Sequence, residues 1–193
     1  LEDTYNGLNY PEAGFIKGTV YAGRPFDPKN GTVSTTSSDV LIPAFIAAYS
    51  GKDAKSVNLN PFPGLSSILP NWRMTYDGLS KLPFFMKYFK SFTLSHAYQC
   101  TYSVGSFSSY SDWVAVGDGI GFSQDALSGN PCPSSPYNIS SVTITEKFAP
   151  LIGVNATMNN NITFNAEYRD ARTLSLNSSA GQLVETSTKS FVI

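Results

Sequence analysis

From Lys90 to Tyr110 the chain reads KSFTLSHAYQCTYSVGSFSSY, and its residues sort by parity. One row is Phe92, Leu94, His96, Tyr98, Cys100, Tyr102 and Val104; the other is Ser91, Thr93, Ser95, Ala97, Gln99, Thr101, Ser103 and Gly105. Successive side chains of a β-strand point to opposite faces, so this alternation predicts one strand with a bulky, mostly apolar face and a small, polar face. Sustained over 91–105, it amounts to about 50 Å at about 3.3 Å per residue. Strands in soluble domains usually run about five or six residues.

The same split recurs elsewhere. Trp72, Met74 and Tyr76 alternate with Asn71, Arg73, Thr75 and Asp77. Later, Val142, Ile144, Phe148, Ile152, Val154, Ala156 and Met158 share one parity, and Thr143, Thr145, Asn155 and Thr157 share the other. Asn159-Asn160-Asn161 reads as a turn, because Asn tolerates left-handed backbone angles. Beyond it, Ile162, Phe164, Ala166, Tyr168, Leu174 and Leu176 oppose Thr163, Asn165, Glu167, Arg169, Thr173 and Ser175. Asp170 and Arg172 interrupt the apolar row, as the aqueous end of a strand or a parity-flipping bulge would. After 178–181, a third strand with weaker contrast follows.

This divides the chain into four stretches. Residues 1–69 form a loop-rich segment whose helix is expected at 43–49, closed by Ser50-Gly51, the only plausible helix in the chain. Residues 61–70 within it are a proline-punctuated connector. Residues 70–110 carry long strands, 111–137 lose the alternation and read as a long loop, and 138–193 form a β-meander. Between the first strands, 78–91 (GLSKLPFFMKYFKS) set Phe84, Phe85, Tyr88 and Phe89 beside Lys81, Lys87 and Lys90. Amphipathic rings and snorkelling lysines suit a membrane interface.

Composition narrows the function classes. Charged residues make up only 14% of the 193 residues, against about 25% in soluble domains, while aromatics reach 13%. A net charge of −1 with no basic run argues against nucleic-acid binding. No run of apolar residues is long enough for a transmembrane helix, but a β-barrel signals itself by alternation instead. Neither a secretory leader nor a natural end is visible: Leu1 begins mid-stream and TKSFVI stops inside a strand-like pattern, so the chain is expected to be part of a longer one.

No catalytic set emerges, so the expectation is a non-enzyme without cofactor or metal. His96 stands apart from any acid or cysteine at ligand spacing and is expected to be structural. Asp77, Asp112, Asp118, Asp125, Glu146, Glu167, Asp170 and Glu185 are scattered rather than paired. GDGIG at 117–121 lacks the context of a dinucleotide loop. Cys100 and Cys132 are expected to be unpaired. Asn30, Asn138, Asn155, Asn161 and Asn177 each begin an N-x-S/T sequon. A polar strand face built from Asn and Thr at i and i+2 generates N-x-T by composition, and that explanation is preferred here.

Three blocks together carry a resemblance: DVLIPAFIAAYSGKD at 39–53, PNWRMTYDGLSKLPFFMKYFKSFTLSHAYQCTYSVGSFSSY at 70–110, and FAPLIGVNATMNNNITFNAEYRDARTLSL at 148–176. They resemble the late barrel region of the SprA/Sov family, the giant outer-membrane translocon of the type IX secretion system. The resemblance covers roughly half of the chain. It implies an all-β fold: antiparallel up-and-down transmembrane strands forming part of a very large outer-membrane barrel, with one short helix and long loops. It also implies export of folded cargo proteins with C-terminal sorting domains, in some lineages with support of gliding motility. The implied partners are outer-membrane lipid, a smaller barrel protein at the lateral opening, a periplasmic plug protein and the secreted cargo.

On this reading each parity row has an assignment. Asn71, Arg73, Thr75, Ser91, Thr93, Ser95, Gln99, Thr101, Ser103, Asn155, Thr157, Thr163 and Asn165 face a hydrated lumen. Trp72, Met74, Tyr76, Phe92, Leu94, Tyr98, Tyr102, Val104, Ile152, Val154, Ile162, Phe164 and Tyr168 face lipid. The alternatives are a secreted soluble β-sandwich adhesin or carbohydrate-binding module, and a different barrel such as a porin. A sandwich would break 91–105 into shorter strands and bury its aromatic row under a second sheet.

Overall fold

A computed structural model of the chain describes residues 1–31, 33–53, 56–62 and 70–193. The connector predicted at 61–70 lies largely outside these. The described chain is mostly antiparallel β-structure with few helices, as the alternation predicts. It divides into two compact units. The first takes the described residues up to Phe62, with Val104–Val142 and Leu176–Leu183; the second takes 70–103, Thr143–Ser175 and Val184–Ile193.

The first unit contains helices α1 (Glu2–Asn6) and α2 (Ser38–Ser50). Helix α2 starts five residues before the expected 43–49 and runs through Pro43. Proline forgoes one bond to the carbonyl four residues back and its ring crowds that carbonyl, yet the helix continues past it. Its end is where the sequence puts it: Gly51 adopts the left-handed conformation with φ of 64° and its N–H and that of Lys52 return to carbonyls of the last turn.

Residues 111–137 are not a featureless loop. They hold strands β3 (Val114–Gly117), β4 (Ile120–Gln124) and β5 (Pro131–Ser134), a three-stranded antiparallel sheet in the order β3-β4-β5. Pro131 and Pro133 fall on an edge strand, where a missing N–H costs least. Phe122 on β4 is fully buried and packs with Tyr10, Ile16 and Phe26, its ring centroid 5.1 Å from that of Tyr10. A second cluster joins Tyr5, Val33, Val40 and Leu59.

The second unit begins with β1 (Trp72–Tyr76), then a 3-10 turn and a further unpredicted helix, α3 (Pro83–Tyr88). Strand β2 (Phe89–Ser109) follows without a break, and β6 (Tyr137–Met158), β7 (Thr163–Asn177) and β8 (Gln182–Val192) complete a five-stranded sheet in the order β1-β2-β6-β7-β8. Strand β1 runs antiparallel to β2 with Trp72 opposite Tyr98, Met74 opposite His96 and Tyr76 opposite Leu94. The turn at 159–161 forms as predicted, with Asn161 at φ of 66° and the Met158 N–H donating to the Ile162 carbonyl at 2.8 Å. Strands β1 and β8 are the edges of this sheet, and every residue of both is exposed.

Candidate functional site

The chemistry of the second unit resides in the two faces of its strands. On the polar face, hydroxyls meet across neighbouring strands: Thr157 and Thr163 lie 3.1 Å apart, Thr145 and Thr173 3.5 Å. Asn71, Arg73, Thr75, Ser91, Gln99, Thr101, Ser103, Asn155, Thr163 and Asn165 are exposed, and Thr93, Ser95 and Thr157 half-buried. Gly153 sits against the Ser95 hydroxyl, where a side chain would collide with it, so the two strands approach closely on this face. Across β7, Arg169 and Glu167 form an ion pair at 2.6 Å, which leaves little net charge there.

The opposite face is open in its lower part. Met74 (64%), Tyr76, Ile152 (60%), Ile162 and Phe164 are exposed apolar side chains from β1, β6, β7 and the turn before β7. Phe92, Leu94, Tyr102, Val104, Val154 and Tyr168 are half-buried. Apolar exposure on this scale normally marks an interaction surface. Two groups of rings bracket it. Phe84, Phe85, Tyr88, Phe89 and Phe92 touch one another at the start of β2, with ring centroids 4.8 to 6.0 Å apart. Further along, Trp72 stacks on Tyr98 at 4.4 Å, Tyr98 meets Phe148 at 4.9 Å, and Tyr168 stacks on Phe191 at 4.6 Å. From Phe89 to Tyr98 the strand advances by about 30 Å, comparable with the nine to eleven or so residues of a tilted transmembrane strand.

This geometry corrects one assignment made from parity alone. Tyr98 does not present its ring to the surroundings: it is 3% exposed, covered by Trp72 and Phe148, and its hydroxyl donates to Glu146 at 2.9 Å. Cys100, next on the row, is buried as well. Glu146 lies 3.9 Å from Arg172, which donates to Glu185 at 2.8 Å. A polar chain of Tyr98, Glu146, Arg172 and Glu185 therefore crosses four strands, β2, β6, β7 and β8, beside the second group of rings. Arg172 interrupts the apolar row without a flip of parity, because Leu174 and Leu176 resume it as buried residues.

Other sequence candidates are placed plainly. His96 Nδ1 is 2.7 Å from the Leu151 carbonyl and its ring lies near Trp72 and Phe148, a structural setting. Neither Cys100 nor Cys132 is in a disulfide. Among the described residues, no group of three His, Cys, Asp or Glu side chains is arranged to hold a metal. One carboxylate that periodicity had no way to single out is Asp39, in α2 of the first unit. It accepts the Ser135 N–H at 3.1 Å, and burial pushes its carboxyl above the ordinary carboxylate range. Burial, helped by the Asp39 charge, also raises the Tyr5 and Tyr110 hydroxyls. Asp39 has no second carboxylate beside it in its hollow, which is lined by Ser38, Ile42, Pro43, Leu59, Pro61, Ser135, Tyr137 and Ile139. It is a tie between α2 and the 135 segment.

No family model and no curated protein matches the chain. What the chain offers is a sheet with a hydroxyl face and an apolar face that is exposed at Met74, Tyr76, Ile152, Ile162 and Phe164.

Proposed function

We propose that the chain is a segment of an outer-membrane protein-conducting barrel of the type IX secretion class, and that it is not an enzyme. The observation that carries this reading is that the second unit's sheet bears exposed apolar side chains on one face and exposed hydroxyl and amide side chains on the other. A sheet in water buries its apolar face against another layer. One with hydrocarbon on one side and water on the other leaves both bare, provided every backbone group is paired within a closed barrel. The exposed edges β1 and β8 call for further strands to complete such a wall.

Each structural feature has a role in this account. Met74, Tyr76, Ile152, Ile162 and Phe164 meet acyl chains. The two groups of rings lie at the two interfaces, the first beside Lys81, Lys87 and Lys90 at the level of the headgroups, where Lys87 lies over the Tyr88 ring and Lys90 donates to Asn161. The polar chain from Tyr98 to Glu185 lies beyond the hydrocarbon, where charge is tolerated. The hydroxyl and amide face lines water, and its small, mixed, nearly neutral surface lets a folded cargo protein pass without sticking. Outer-membrane lipid, a smaller barrel at a lateral opening, a periplasmic plug and the cargo are the partners this reading implies; gliding motility is a further role within it.

Fractionation of the parent protein tests this. The expected result is retention in outer membranes through a carbonate wash, with loss of cargo secretion when 70–193 are deleted. Release into the wash as a soluble protein contradicts it and favours a secreted β-sandwich.

A further inference from the structure

The polar face of the second unit contains a concavity built for a particular kind of guest. Arg73 on β1 lies opposite Ala97 on β2, and Ala97 and Ala149 give the concavity a floor of two methyl groups. Asn71, Gln99 and Lys147 also line this open hollow of about 330 Å³. The space exists because two alanines lie between long polar side chains. Its rim contains no acidic residue.

The contrast with the other strand arginines is informative. Arg169 is neutralised by Glu167, and Arg172 by Glu185 and Glu146. Among the described residues, neither Arg73 nor Lys147 takes part in a salt bridge. Asn71 adds to the donor excess, because its carbonyl oxygen accepts the Cys100 N–H at 2.7 Å and its NH2 group is the end left for a ligand. A guanidinium, an ammonium and amide NH2 groups around one hollow are donors with a double positive charge. The matching ligand is an oxyanion, which Arg binds through two parallel hydrogen bonds.

We infer that this hollow binds a carboxylate side chain of an acidic polypeptide segment. Its volume exceeds what a bare carboxylate needs, leaving room for the side chain and adjoining backbone. Trp72 and Tyr98 also line the hollow, and their rings stack on each other at 4.4 Å. The choice of a polypeptide as carrier rests on the transport reading, in which this face lines the path of cargo.

The test is fluorescence anisotropy of a labelled glutamate-glycine repeat peptide with the full chain in neutral detergent at low salt. The peptide is expected to bind, and Arg73→Gln or Lys147→Gln to weaken it about tenfold each. The double variant should bind none, and Lys90→Gln, outside the hollow, should bind as the parent does. Circular dichroism of each variant confirms that the strands persist. Absence of binding overturns the inference, as does an equal loss in Lys90→Gln, which reports bulk charge. Displacement of the peptide by an equal concentration of inorganic phosphate also overturns it, because the site then selects phosphate. Carbonate extraction reads none of these side chains, so a chain that binds the peptide yet washes out of membranes fails the transport reading alone.

Discussion

The two units of this chain solve opposite problems. In the first, apolar side chains disappear: Tyr5, Ile16 and Phe122 have no exposed surface, and short strands of four or five residues suffice to close over them. In the second, Met74 on the short β1, Ile152 and Phe164 on the long β6 and β7, and Ile162 in the turn before β7 stand in the open. The difference teaches that hydrophobic content alone does not tell a core from a wall. What separates them is whether the apolar row is covered.

Substitutions sharpen that contrast, beginning with the strongest. Phe122→Ala in the first unit should cost about 3–5 kcal/mol, because it empties a fully buried ring site; denaturant titration measures it. Met74→Ala, at an exposed position, should stay within about 0.5 kcal/mol in the same titration. Equal losses at the two positions would erase the distinction between core and wall.

Charge insertion probes the wall itself. Ile152→Arg should cost about 2–4 kcal/mol in assembly into bilayers, the penalty for Arg near the hydrocarbon midplane, whereas Thr101→Arg on the polar face should assemble as the parent does. Protease-protection of vesicle-inserted protein separates the two. Tyr98→Phe removes only the donor to Glu146 and should lower stability by about 1 kcal/mol.

The first unit should also respond to acid in a particular direction. The buried Asp39 carboxyl binds its proton more tightly in the folded than in the unfolded chain. Between the unfolded and folded pKa values the folded state holds more protons, so stability falls as pH rises through that window and is fully restored below it. Melting temperatures of the parent should decline with rising pH there, and Asp39→Asn should flatten that part of the profile. The smallest effect is expected from Glu185→Gln. Its pair with Arg172 is about half exposed, so solvent screening holds the loss to about 0–1 kcal/mol.

Much of the second unit was legible because a two-residue period survives over a whole strand. The parity of 92–104, the turn at Asn159-Asn160-Asn161 and the alternation of β7 all come from side-chain direction, which is local. What was not legible depends on neighbours distant in sequence. Parity places Tyr98 on the bulky face, but only the register with Trp72 and the approach of Phe148 bury it. The strands inside 111–137 escaped because Gly117, Gly121, Pro131 and Pro133 leave too few alternating side chains to show a period. Helix α2 was shortened by treating Pro43 as a start, although a proline one turn and a half into a helix removes a single bond. Helix α3 was hidden in a run of rings. As for the hollow at Arg73, its register partner Ala97 and the remote Lys147 are brought together by β1, β2 and β6, and no spacing within one strand announces that.

Nitroxide scanning of 91–97 in membrane vesicles, with Cys100 and Cys132 replaced by Ser, addresses the division of the two faces most directly. The account predicts that labels at even positions relax with dissolved oxygen and labels at odd positions with a water-soluble nickel chelate, alternating residue by residue. Uniform access of the nickel chelate to both rows would contradict it.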